Sequence, residues 1–169
     1  YLMPPTPDQP NPESLVSNRV DAVHFSVPRG FFDQPFHLSL CSPTFGATIR
    51  YTLDGSTPSA TNGLVYAAPI LIDTSRVVCA VAFRHGWLPS ATRTHTYLYG
   101  LPANRRQLPA LSIVTAPGSL YGPSGIMETN PRNTTRHGIA WERPASIEWI
   151  RPEDNGGFQE DCGLRVAGG

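Results

Sequence analysis

Lysine is absent from this chain: all thirteen basic residues are Arg. Neither a Schiff-base amine nor a phosphate-gripping lysine can therefore come from within it. Net charge is missing too, because thirteen basic residues balance thirteen acidic ones. That removes the basic footprint by which a domain holds nucleic acid. No apolar run approaches the length of a membrane span, so no spanning segment is expected. Cysteine is scarce, and Cys41, Cys79 and Cys162 have none of the C-x2-C spacing of a zinc site. The five His are scattered without an i, i+4 pair, which argues against a metal centre. No cofactor is expected.

What the chain has in quantity is punctuation. Eighteen Pro and fifteen Gly fall without a collagen period and separate short apolar runs about every ten residues, the pattern of a β-sandwich. Strands are expected at Ala22–Val27, Phe36–Cys41, Ala47–Leu53, Leu64–Tyr66, Ile70–Ile72, Arg76–Phe83 and Thr92–Tyr99. The clearest run is Gly46–Pro58. Ile49, Tyr51 and Leu53 alternate with Thr48, Arg50 and Thr52, and Asp54-Gly55 then turns the chain. Residues 1–20 read as an extended arm, with Pro4, Pro5, Pro7, Pro10 and Pro12 denying a helix. Residues 101–169 hold a linker, then strands at Leu111–Thr115, Ser146–Ile150 and Phe158–Val166. This last block is too poor in large apolar side chains for a core of its own. It is expected either to pack on the sandwich or to open a larger domain. Tyr1 is not an initiator Met, so a mature, cleaved or partial piece of a longer protein is expected.

One strand breaks the alternation. Val78, Ala80 and Ala82 form one apolar face, and Val77, Cys79, Val81 and Phe83 form another. A strand apolar on both faces needs two covers. The second is expected to be the C-terminal block, the arm or another molecule, which makes Val77, Val81 and Phe83 a candidate assembly face. In an Ig-like strand order the strands Phe36–Cys41 and Arg76–Phe83 are antiparallel neighbours. Cys41 and Cys79 could then meet at disulfide distance, the alternative being two ordinary thiols.

The motifs carry a resemblance. Gly46–Pro58, Tyr66-x-x-Pro69-Ile70, Ala80–Gly86 and Pro89-Ser90 resemble the small β-sandwich module named after the C-terminal domain of chitobiase and β-hexosaminidase, over about 33–99. Leu108–Thr115, Leu120–Ile126, Trp141–Ser146 and Gly163–Gly169 are similar to the start of the bacterial CotH-like domain, and Tyr1–Pro7 resembles the exit from a lamin-tail-like domain. The resemblance implies an Ig-like or fibronectin-like all-β sandwich in a large secreted or surface protein of bacteria. The segments that carry nucleotide and metal ligands in CotH-like proteins have no counterpart here, so kinase activity is not expected.

The remaining candidates each have a plain competitor. Asp54-Gly55-Ser56 is a turn before it is a cation or sugar contact. Trp87, with Tyr97 and Tyr99, could offer an aromatic platform to a sugar, and Trp141 stands beside Glu142 and Arg143; packing and a structural ion pair are the competing readings. Asn133-Thr134-Thr135 is an N-glycan acceptor signal, expected on an exposed loop. Together these features lead us to expect a non-catalytic extracellular module. Its partners would be other copies of itself in a fibre or sheath, or neighbouring domains of a longer chain. An accessory carbohydrate-binding role and a truncated kinase-like piece are the alternatives.

Overall fold

The computed structural model describes residues 18–167; most of the arm (1–17) and Gly168-Gly169 lie outside the described residues. The chain is all-β. Nine strands make the first part: β1 (His24–Phe25), β2 (Gly30–Phe32), β3 (Phe36–Leu38), β4 (Leu40–Cys41), β5 (Thr48–Thr52), β6 (Leu64–Val65), β7 (Ile70–Ile72), β8 (Arg76–Phe83) and β9 (Arg93–Tyr99). Three more follow: β10 (Ala110–Val114), β11 (Arg143–Ile150) and β12 (Gly157–Leu164). Among the described residues helix is confined to single turns such as Ala103–Arg106 and Pro117–Leu120. No helix among the described residues is long and apolar enough to cross a membrane.

The central layer is a five-stranded sheet in the order β2-β9-β8-β5-β6, antiparallel except for β2 alongside β9. Two small antiparallel pairs, β1-β4 and β3-β7, supply strands whose apolar side chains share its core. Leu38, Ile72, Val78, Ala80, Ala82 and Tyr97 are fully buried there, with Val20, Val23, Leu40, Ile49 and Ile70 around them. The alternation in the sequence is the cause. Ile49 opposes Ala82 in register, while Val78 opposes His95 and stands two residues from Tyr97's partner Arg76. Phe32, Phe36 and Tyr97 close one end with centroids 4.6–5.8 Å apart, and the Tyr97 hydroxyl donates to the Val27 carbonyl at 2.9 Å.

Two expectations need correction. The run Phe36–Cys41 is not one strand: it breaks at Ser39, β3 pairing with β7 and β4 with β1. The neighbours of β8 are β5 and β9, so the strand order that would bring Cys41 to Cys79 is not adopted. Cys41 is exposed, Cys79 is buried, and both are free thiols. The strand Gly30-Phe-Phe32 was not expected. It follows Pro28, has no alternation, and is recruited by the β9 edge through a parallel register of Phe31 with Leu98.

The third layer is the antiparallel sheet β10-β11-β12. It lies against the outer face of the central sheet and provides one of the three covers expected for β8. Val77 and Val114 line one groove, and Cys79 and Ala145 line another. Cys79 and Val81 are 3% exposed, while Val77 and Phe83 are half-buried. The face proposed for assembly is thus largely closed within the chain. Residues 18–20, the last of the arm, are pinned to the sandwich: Val20 N–H donates to Leu88 O at 2.9 Å, and Leu88 N–H to Asn18 O at 3.0 Å.

Candidate functional site

The junction between the central and third sheets gathers most of the unusual chemistry. Register puts Ser112, Ser146, Glu148 and Gln159 on one face of the third sheet, opposite Thr94 and Thr96 of β9. Glu148 is fully buried. The Thr96 hydroxyl donates to Glu148 Oε2, and Thr96 Oγ1 lies 2.8 Å from Ser112 Oγ. Arg29 Nε approaches Glu148 Oε1 at 3.3 Å. Burial pushes the Glu148 carboxyl above the usual carboxylate range, against the pull of the Thr96 hydrogen bond and the Arg29 guanidinium. An isolated buried carboxylate is costly, and this one persists because charge and hydroxyls surround it.

Two close approaches hold the ends of this junction. The Asp54-Gly55 turn meets the end of β10: a Cβ on Gly55 would stand 2.8 Å from Thr115 O and 3.2 Å from Val114 Cγ1. Its φ of 80° independently requires glycine. The Asp54 carboxylate accepts from Ser56 N–H and Oγ–H, which holds its pKa below the usual value. The turn reading of Asp54-Gly55-Ser56 therefore accounts for its geometry. At the opposite end Asn155 Oδ1 accepts from Phe31 N–H at 3.0 Å, against Gly30.

Two openings flank the junction. One, of about 240 Å³, is lined by Cys79, Thr94, Ser146 and Asp161. Burial raises the Cys79 pKa, so its thiol is held in the neutral form. The other, of about 540 Å³, runs beside β10 between Ser112–Thr115 and the residues Leu53–Gly55 and Thr74–Val77. Among the described residues no group of three or more His, Cys, Asp or Glu is placed to hold a metal.

The sequence candidates land apart from this junction. Trp141 is flanked by two guanidinium groups, Arg136 at 5.1 Å and Arg143 at 5.0 Å from the ring centroid. Trp87 carries Arg84 at 4.4 Å and packs against the apolar core. Guanidinium groups therefore lie over both indoles and compete for the ring surface a sugar would use. Asn133 is not on an exposed loop surface. It is 2% exposed, and its Nδ2 donates to Pro123 O and Gly125 O, both at 3.0 Å. A glycan on that nitrogen would replace one of its two hydrogens and so remove at least one of these bonds; the acceptor expected on an exposed loop is buried. Sequence reasoning missed the Glu148–Arg29–Thr96 cluster. Its only signal was a Glu inside the apolar alternation Ile147-Glu-Trp-Ile150.

The fold thus defines a class, an all-β module with an Ig-like or fibronectin-like sandwich at its centre. Residues 38–97, from the end of β3 into β9, match the family model described as "Fn3 associated", which fits a sandwich module of the chitobiase or fibronectin type. The third sheet lies outside that match. Comparison with curated proteins and with solved structures returned no match.

Proposed function

We propose that the protein is a non-catalytic structural module of the cell exterior that joins other copies of itself in a fibre or sheath. The observation that carries this reading is the open state of the third sheet. Its outer face exposes Leu111, Ile113 and Phe158 by half or more, beside the half-buried Ile147 and Trp149. Contiguous apolar surface on a sheet is characteristic of an interaction site. Zero net charge leaves little long-range repulsion between copies. The resemblance of residues 101–169 to the start of a CotH-like domain belongs to the same reading, as a setting in a large secreted protein. In that setting a neighbouring domain of the longer chain takes the place of the second copy. Carbohydrate binding through Trp87 or Trp141 is the weaker reading, because arginine side chains stack on both rings.

Light scattering across a concentration series, followed by electron microscopy, tests the proposal. Discrete oligomers or filaments that dissolve when Leu111, Ile113 and Phe158 become Ser are expected. A monomer at every concentration overturns it.

A further inference from the structure

The two edges of the third sheet differ in kind. β12 carries Glu160-Asp161 along its length, and charges on an edge strand discourage pairing with another chain. β10 is Ala-Leu-Ser-Ile-Val, with no charge and no proline. It pairs with β11 on one side only, so half of its backbone donors and acceptors face away from the sheet with no strand partner among the described residues. The groove of about 540 Å³ runs along that free side. Its far wall offers Leu53 and Val77, and its charged groups are Asp54, whose carboxylate is tied to Ser56, and Arg76, which has no acidic partner among the described residues. An uncharged edge strand beside a trench of mixed lining, with Leu53 and Val77 set among Thr74, Ser75 and Ser112 and a cation that lacks an acidic partner, is the chemistry that accepts an added strand.

We infer that this groove is the acceptor for residues Glu13–Ser17 of a second copy, which add to β10 as a fourth strand of the third sheet. The inference rests on the self-association reading and adds a second contact beside the outer apolar face. Glu13-Ser-Leu-Val-Ser17 is a proline-free stretch as long as β10 itself. Every residue in it keeps the N–H that Pro4, Pro5, Pro7, Pro10 and Pro12 lack. On an added strand Glu13 and Leu15 share one face, so Leu15 supplies the apolar side chain for the trench and Glu13 the charge that complements Arg76, while Val16 turns to the opposite face. The donor has to be another copy. Asn18 is fixed at Leu88, beyond the Phe83 end of β8, whereas the groove lies at Arg76 and Val77. Six strand residues separate these ends by about 20 Å, and the five residues Glu13–Ser17 reach at most about 18 Å when fully extended. They cannot lie along the groove of their own chain.

A fluorescent peptide of residues 1–17, titrated onto the full-length chain at low concentration and followed by anisotropy, tests this. Saturable binding is expected. Val16→Pro in the peptide should weaken it about tenfold or more, since a ladder donor is lost and the ring obstructs pairing. Arg76→Glu in the chain should weaken it about threefold, as expected for a partly exposed ion pair. Glu13→Arg in the peptide should restore affinity to that variant. Thermal melts confirm that Arg76→Glu folds. Equal competition by a scrambled peptide would overturn the second copy as occupant. Absence of binding, or binding indifferent to both substitutions, would overturn the groove itself even if the chain assembles. Peptide binding by a chain that stays monomeric would instead sink the assembly reading and leave the groove standing.

Discussion

The two faces of β8 show two ways of holding sheets together. On the inner face Val78, Ala80 and Ala82 are completely buried against Leu38, Ile72 and Tyr97. Contacts there are apolar, non-directional and many, so their contribution scales with area removed from water. On the outer face Cys79 and Val77 look toward Thr94, Thr96, Ser112, Ser146 and Glu148. Here the junction depends on a few directed contacts, namely Glu148 with Arg29 and Thr96, Gly55 against Thr115, and Asn155 on Phe31. An apolar core tolerates small adjustments, whereas a polar junction stands or fails with individual partners.

The sharpest way to break this comparison is in the apolar core. Leu38→Ala, at a fully buried position, should cost about 2–5 kcal/mol. If the third sheet depends on the sandwich for its support, amide protection in β11 and Trp149 fluorescence will be lost in the same transition. A residual cooperative transition confined to β10–β12 would show instead that the third sheet folds alone.

Acidity separates the two faces next, because each buries a titratable group of opposite behaviour. His95, stacked on Phe25 at 4.1 Å, has its pKa driven down to about 4 by burial and then by Arg29. The unfolded chain binds that proton more readily. His95 therefore contributes stability above its ordinary value of 6.5 that is lost as pH falls through about 4. The difference is worth about 3 kcal/mol. Glu148 runs the other way. Its pKa is raised, so its contribution is fully present below the ordinary value of 4.5 and is lost as pH rises through the higher folded value. Denaturant midpoints measured from pH 3 to 8 should lose their acid limb in His95→Phe and their decline on the alkaline side in Glu148→Gln. A Glu148→Gln profile that matches the parent would mean that Arg29 fully compensates the carboxylate.

How far the fold was legible follows the same division. The alternation Ile49-Tyr51-Leu53 and the doubly apolar run Val77–Phe83 revealed the central sheet, because period-2 burial leaves its mark residue by residue. The same run announced that a second cover existed, though not which segment would provide it. Gly30–Phe32 was hidden because a short edge strand needs no pattern of its own. Cys41 was misplaced because a break at Ser39 reassigns every later partner, and nothing in Phe36–Cys41 signals it. At the junction, Asp54-Gly55 was legible as a turn but not as a contact. Glu148 was not singled out, because only the stacking of the two sheets buries it. The burial of Asn133 and the arginines over the two Trp were hidden for a related reason. A sequon or an indole advertises its chemistry, but burial and arginine stacking are properties of the fold.

The smallest effect is also the most local. Gly55→Ala puts a methyl group 2.8 Å from the Thr115 carbonyl, on backbone whose φ of 80° already disfavours a side chain. Relieving the clash requires the turn and the end of β10 to separate. The cost should be about 1–2 kcal/mol. It should appear as faster hydrogen exchange in β10 with little change in β8, since Val78 and Ala80 keep their apolar partners. Equal acceleration in both strands would mean that the two faces of β8 are energetically one unit, and that the polar junction is as much a part of the core as the leucines beneath it.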